Sequence, residues 1–68
     1  MVEKDYDKAI DDYSKAIEYN GNMAEAYYNR GLAKIKAGHV EDGISDLSKA
    51  GELGLYSAYA MIKKHSNH

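Results

Sequence analysis

The 68-residue sequence contains no cysteine, proline, tryptophan or phenylalanine. The lack of cysteine excludes disulfides, thiolate metal sites and cysteine nucleophiles within this sequence. No stretch approaches the roughly 18 apolar residues that a membrane span requires, so we expect no membrane contact. The charged start, Met1 to Asp5, lacks the apolar core of a secretory signal. We leave the cellular compartment open, with the cytoplasm as the working expectation.

Excess positive charge is also missing, because the net charge is −2 and the isoelectric point is near 5.8. A nucleic-acid-binding domain normally carries a basic surface, so we expect no nucleic acid partner. Residues 1–29 carry seven acids and three lysines, whereas residues 30–68 carry six basic residues and four acids. Such a molecule could stack head to tail on copies of itself, although solvated helix surfaces explain the same pattern.

The apolar residues that are present follow helical spacing almost throughout. They recur at i, i+3, i+4 and i+7, which lines one side of a helix. Strand-like alternation is absent, so the fold class is all-α. The pattern predicts about four antiparallel helices, roughly at residues 3–19, 23–37, 40–53 and 55–65.

Glycine and asparagine mark the predicted helix ends. The stretch Asn20 to Asn22, then Gly38 and Gly54, tolerate the left-handed backbone that terminates helices. Asn22 with Glu25 three residues later predicts a capping box at the start of the second helix. Gly51 is a predicted weak point, because glycine inside a helix costs about 1 kcal/mol relative to alanine.

The sequence repeats itself at an offset of 34 residues, which is half of its length. Segment 5–21 then lies over segment 39–55, and most of the mismatches preserve side-chain size. Fixed-period similarity of this kind indicates a helical repeat architecture. The identical pairs are Ile10 with Ile44, Asp12 with Asp46, Ser14 with Ser48, Lys15 with Lys49, Ala16 with Ala50 and Glu18 with Glu52.

This period and its pattern of small and large residues resemble the tetratricopeptide repeat family. The resemblance covers roughly residues 5–62 and implies a solenoid of helix-turn-helix units. Its complete unit places Tyr27 at the family's tryptophan, Gly31 and Gly43 at close-packed positions, Leu47 at the phenylalanine, and Ala50 at the alanine where the two helices cross.

Some positions depart from the family pattern. Lys34 stands at a tyrosine position, Arg30 at an apolar one, and Gly21 and Leu55 replace turn prolines. The weak pattern after Gly51 suggests the C-terminal end of an array. The expected organisation is a single module, with the second helix of a partial repeat at 5–21, a complete repeat at 22–54, a capping helix at 55–65 and a tail at 66–68.

The resemblance implies a non-catalytic module that binds a protein or peptide as part of a longer array. In this family the first helix of each unit lines a concave groove. Asn29 matches an asparagine that some members use to hold a peptide backbone or C-terminal carboxylate, and only Lys63 and Lys64 could assist such a clamp. The candidate binding residues are Glu25, Tyr28, Asn29, Leu32 and Lys36.

A second interpretation is self-assembly. The apolar side of the first helix around Tyr6, Ile10 and Tyr13 would need a partner, so these residues are candidates for self-association into a homodimer. In that case the chain would cap or dimerise a solenoid. An auxiliary domain of a larger enzyme or sensor is a third interpretation.

We expect no catalytic, cofactor or metal site. The neighbouring carboxylates Asp11-Asp12 and Glu41-Asp42 point in different directions on a helix, and so small a chain cannot close a dry cleft around them. His65 and His68 have metal-ligand spacing but no nearby carboxylate, and His39 suits a helix start. Packing between helices is the expected role of Tyr6, Tyr13, Tyr19 and Tyr27.

Overall fold

A computed structural model describes residues 5–66, which fold into four helices without a strand in that range. The predicted all-α class is confirmed. Residues 3 and 4, where the first helix was expected to begin, lie outside the described residues. The helices are α1 (Tyr6–Tyr19), α2 (Ala24–Lys36), α3 (Val40–Glu52) and α4 (Ser57–Ser66).

Two of the three predicted glycine stops are confirmed. Gly38 and Gly54 have φ angles of 100° and 111°, which residues with a Cβ atom rarely adopt. The end of α1 is different, because Asn20 is extended at φ −147°. The Asn20 side chain accepts a hydrogen bond from the backbone N–H of Asn22 at 3.1 Å. An asparagine turn therefore ends α1 without a left-handed residue.

The capping box predicted at Asn22 and Glu25 is wrong. Met23 occupies the cap position of α2, and no side chain caps this helix end. The cap falls one residue later than predicted because the Asn20 side chain already holds the backbone of Asn22. His39 does occupy the cap position of α3, as expected, but its side chain makes no capping hydrogen bond.

Each helix packs against the next one along the chain. The Cα atoms extend over 36 × 35 × 15 Å, a thickness that matches two layers of helices at the usual spacing of about 8–10 Å. Leu47, Ala50 and Ala58 are fully buried at the centre. The part-buried side chains around them are Tyr27, Tyr28, Leu32, Ile35, Leu55, Met61 and Ile62.

The α2–α3 crossing depends on two facing glycines. A Cβ on Gly31 would lie 2.7 Å from the carbonyl oxygen of Gly43, and a Cβ on Gly43 would lie 2.5 Å from that of Gly31. Either substitution would force the two backbones apart. The predicted tight crossing at Gly31, Gly43 and Ala50 is confirmed, since all three are buried.

Gly51 has a packing role in addition to its predicted weakening of the helix. It is buried, and a methyl group at this position would overlap the aromatic ring of Tyr59 on α4. Its missing side chain therefore makes room for the contact between α3 and α4. The prediction that Tyr19 packs between helices is wrong, because Tyr19 is 93% exposed at the end of α1.

Candidate binding face

Helix α2 lies between α1 on one side and the α3–α4 pair on the other, and its five candidate residues share one side. Their spacing of 25, 28, 29, 32 and 36 follows the helical period. Tyr28 and Leu32 are half-buried, whereas Glu25, Asn29 and Lys36 are exposed. We call this side of α2 the front face, and it consists of Glu25, Tyr28, Asn29, Leu32 and Lys36.

The first part of the front face opens into a cleft beside the start of α4. This α2–α4 cleft has a volume of about 370 Å³. Its lining combines a carboxylate, an aromatic ring, an amide, an aliphatic side chain and a hydroxyl, so both polar and apolar groups of a ligand can be accommodated. The lining residues are Glu25, Tyr28, Asn29, Leu55 and Ser57.

The second part of the front face opens into a cleft beside α1, with a volume of about 230 Å³. Tyr6 and Tyr13, which were predicted for self-association, lie in this α1–α2 cleft, whereas Ile10 is half-buried and does not line it. The structure thus brings two separately predicted sets of residues to one site. The cleft is lined by Tyr6, Ala9, Tyr13, Asn29, Leu32, Ala33 and Lys36.

Asn29 lines both clefts and therefore marks the point where they meet. Its amide can donate and accept hydrogen bonds at the same time, which is the pairing that an extended peptide backbone requires. The side chain is exposed and makes no hydrogen bond to residues 5–66. Its hydrogen-bonding groups are thus available to a ligand.

The two charged residues of the front face, Glu25 and Lys36, form no ion pair within residues 5–66. They are eleven positions apart on α2, or about 16 Å along the helix axis at 1.5 Å per residue. The front face thus has a negative group near one end and a positive group near the other.

The opposite side of α2 is closed by an ionic cluster that joins three helices. Arg30 donates to the Asp46 carboxylate on α3 from Nε at 2.7 Å and from Nη2 at 2.8 Å. Its Nη1 also donates to the Ser14 hydroxyl on α1 at 3.0 Å. Paired contacts of this kind fix both the distance and the orientation of the helices.

Lys34 completes the cluster, with its Nζ 3.1 Å from Asp46. The hydrogen bonds to Asp46 raise the pKa of the Arg30 guanidinium above its ordinary value and outweigh the opposing effect of desolvation. Arg30 also lies over the Tyr27 ring, 5.4 Å from its centroid. This side of α2 is therefore covered by contacts with α1 and α3. We call the four residues Ser14, Arg30, Lys34 and Asp46 the ionic cluster.

Arg30 and Lys34 depart from the family pattern in the sequence, but no local pattern identifies Asp46 as their common partner. The two residues are four positions apart and therefore share one side of α2. Asp46 lies at a position of α3 that the crossing at Gly31 and Gly43 brings opposite to them. Two basic residues, one at a tyrosine position and one at an apolar position of the family pattern, were the available signal for a buried acid on the next helix.

Other predicted features lie elsewhere. Lys63 and Lys64 are exposed on α4 and line neither cleft. His68 lies outside the described residues, and among those described no group of three or more His, Cys, Asp or Glu side chains could hold a metal ion. No helix within 5–66 is both long and apolar enough to cross a membrane.

Stacked helices, a 34-residue period and an open front face define this chain as a helical-repeat module of the protein-interaction class. A family model described as TPR repeat matches residues 3–38, which is more than half of the chain. The chain therefore belongs to the tetratricopeptide repeat family.

Three relatives illustrate this membership. The human small glutamine-rich tetratricopeptide repeat-containing protein beta is 46% identical over 46 residues, covering 68% of this chain and 15% of the relative. A rice SGT1 homolog is 37% identical over 61 residues, covering 87% of this chain and 17% of the relative. The Hsp70-Hsp90 organizing protein 1 of soybean is 40% identical over 63 residues, covering 90% of this chain and 11% of the relative.

The chain spans less than a fifth of the length of these relatives. The similarity therefore concerns the repeat module and not the other parts of those proteins. No solved structure matches the chain.

Proposed function

We propose that this chain binds an extended segment of a partner protein along the front face of α2 and performs no catalysis itself. The observation that carries this proposal is the meeting of two clefts at Asn29, with all five front-face residues in their linings. A row of adjacent clefts along one helix suits successive side chains of an extended peptide. The name of the soybean relative refers to the organisation of Hsp70 and Hsp90, so chaperones are one candidate class of partner.

In this mechanism the side chains of the segment enter the two clefts while its backbone contacts the amide of Asn29. Tyr28 and Leu32 supply apolar surface that is already half-buried, so little side-chain freedom is lost on binding. Affinity in repeat proteins increases with the number of units that form the groove. The chain would then contribute one complete unit of a longer binding surface.

The direct test is Asn29→Ala, measured by fluorescence anisotropy against short labelled peptides of acidic, basic and mixed composition. Loss of one or two hydrogen bonds should weaken binding by about two- to tenfold. Asn22→Ala is the matched control, because Asn22 is an exposed asparagine outside both clefts. Equal weakening by both substitutions, or binding that neither affects, would contradict the proposed site.

We propose that α4 serves as the cap of the complete unit 22–54. The support is its packing against α3, where Ala58 is fully buried and Tyr59 covers Gly51. Ala58→Asp should therefore unfold the end of α3 as well as α4, because an unpaired charge cannot remain in this core. Hydrogen exchange that rises only in α4 would contradict the capping role.

Self-association through α1 is a second candidate function. The observation that favours it is the absence of any buried residue in α1, although Tyr6, Ile10 and Tyr13 each retain apolar surface. A second copy that covered this side would produce sedimentation coefficients that rise with concentration and return to the monomer value in Tyr13→Glu. A constant monomer value at high concentration would rule this function out.

A further inference from the structure

We propose that the front face selects a segment with a basic side chain for the α2–α4 cleft and an acidic group for Lys36. This inference rests on the proposed function and specifies the chemistry of the partner. It comes from the charges and clefts of α2, which assign different preferences to the two ends of the same face.

The α2–α4 cleft has the groups that bind a lysine or arginine side chain. Glu25 provides a carboxylate, Tyr28 an aromatic ring, and Asn29 and Ser57 neutral oxygen atoms, whereas no cation lines the cleft. A carboxylate and an aromatic ring both attract a cation. The aliphatic stem of a basic side chain would also cover Leu55, as such stems commonly cover apolar surface.

The Glu25 carboxylate is available for this role. It is exposed and forms no ion pair or hydrogen bond with the described part of the chain. Two other acids are already occupied, because Asp46 pairs with Arg30 and Asp11 with Lys15. Glu25 is therefore an unpaired acid beside a cleft, and a basic ligand group is its complement.

The α1–α2 cleft has the opposite charge preference. Lys36 is the charged residue in its lining, and Tyr6, Tyr13 and Leu32 provide apolar surface around it. Lys36 also forms no ion pair within residues 5–66. This cleft therefore suits an apolar side chain next to an acidic side chain or a terminal carboxylate.

The separation of the two charges sets the spacing of the ligand. Glu25 and Lys36 are about 16 Å apart along α2. An extended chain advances about 3.3 Å per residue. The basic and acidic groups of the segment should therefore be about five positions apart, with an apolar residue between them.

The test uses labelled short peptides with blocked ends, in which a lysine and a glutamate lie about five positions apart around a central leucine. The chain direction is covered by preparing both orders, and peptides with two lysines or two glutamates complete the set. One of the two mixed peptides should bind most tightly. The peptides with two lysines or two glutamates match only one of the two charges and should bind more weakly than the preferred mixed peptide, and this difference should shrink in high salt.

Glu25→Gln should weaken the preferred mixed peptide by about two- to fivefold, the range of an exposed ion pair. Glu41→Gln is the matched control, because Glu41 is also the exposed second residue of its helix but lines neither cleft. Glu25→Lys should shift the preference toward the peptide with two glutamates.

Two results would overturn the proposal, and they can be told apart. Binding of the peptide with two glutamates at least as tight as that of the mixed peptides, unchanged by Glu25→Gln, would contradict the charge assignment and leave the proposed function intact. Failure of every peptide to bind the unchanged chain would overturn the proposed function together with this inference.

Discussion

Helices α1 and α3 occupy equivalent positions of the sequence repeat but differ in burial. They have six identical residues at an offset of 34 positions. None of the α1 residues is buried, whereas α3 has five buried residues. Those five are Gly43, Asp46, Leu47, Ala50 and Gly51.

The difference follows from the neighbours of each helix. Helix α3 packs against both α2 and α4, whereas the main contact of α1 within the described residues is with α2. The same residue therefore contributes differently to the free energy of unfolding in the two places, because burial sets that contribution. Matched substitutions at equivalent positions of α1 and α3 can measure this difference directly.

The largest expected contrast is between Asp46→Ala and Asp12→Ala. Loss of Asp46 leaves Arg30 and Lys34 without their shared partner, so we expect a loss of about 2–3 kcal/mol in the free energy of unfolding. Asp12 is exposed and forms no ion pair among residues 5–66, so its removal should change stability by less than about 0.5 kcal/mol. Urea denaturation followed by circular dichroism measures both. Equal losses would contradict the role of the ionic cluster.

A somewhat smaller contrast is expected between Ala50→Leu and Ala16→Leu. Ala50 is fully buried at the helix crossing, so leucine should overpack it and cost about 1–3 kcal/mol. Ala16 is only half-buried, and leucine there should cost clearly less. Thermal unfolding compares the two midpoints. An unchanged midpoint for Ala50→Leu would show that the helix register is wrong.

The contact between Gly51 and Tyr59 predicts a dependence of one substitution on the other. Gly51→Ala should stabilise the helix by up to about 1 kcal/mol when Tyr59 has first been replaced by alanine. With Tyr59 present, the overlap with its ring should remove this gain. A double-mutant cycle in urea measures the coupling. If Gly51→Ala gave the same gain in stability with and without Tyr59, the Tyr59 ring would not need the space that Gly51 leaves free.

In the smallest contrast, the larger loss of stability is expected for the substitution in α1 and the smaller loss for the one in α3. Ser14 on α1 accepts a hydrogen bond from Arg30, whereas the equivalent Ser48 on α3 makes no side-chain hydrogen bond within residues 5–66. Ser14→Ala should therefore cost about 0.5–1.5 kcal/mol, and Ser48→Ala should cost less. Chemical denaturation of both variants, fitted with a common slope, tests the order. A larger loss for Ser48→Ala would contradict it.

Much of the fold could be predicted because the signals are local. Helical periodicity fixed the four helices to within a few residues, and the glycines at 38 and 54 adopt the backbone that glycine favours. The failed capping box shows the limit of such signals. Asn20 and Asn22 both carry capping side chains, and the sequence alone does not decide which of them folds onto the backbone.

Contacts between residues far apart in the sequence were harder to predict. Arg30 and Asp46 are 16 positions apart, and they meet only because Gly31 and Gly43 allow α2 and α3 to approach closely. The exposure of Tyr19 has a similar origin, since an aromatic residue at a helix end is buried only if another element covers it.

The candidate site was predicted in part. The helical period placed the five front-face residues on one side of α2, and the structure places all five in clefts. That some of them share a cleft with Tyr6 and Tyr13 depends on how α1 crosses α2, which no local pattern encodes. The free charges of Glu25 and Lys36 became informative only when the structure placed each of them in the lining of a cleft.

The most direct test of the central claim is a map of backbone amide shifts by NMR while the mixed-charge peptide is added. The proposed binding predicts that shifts concentrate at the front face and at Tyr6 and Tyr13, with little change at Asp46 on the closed side of α2. A map centred on residues 38–42, where another surface concavity lies, or on the ionic cluster would contradict the claim that the front face is the binding site.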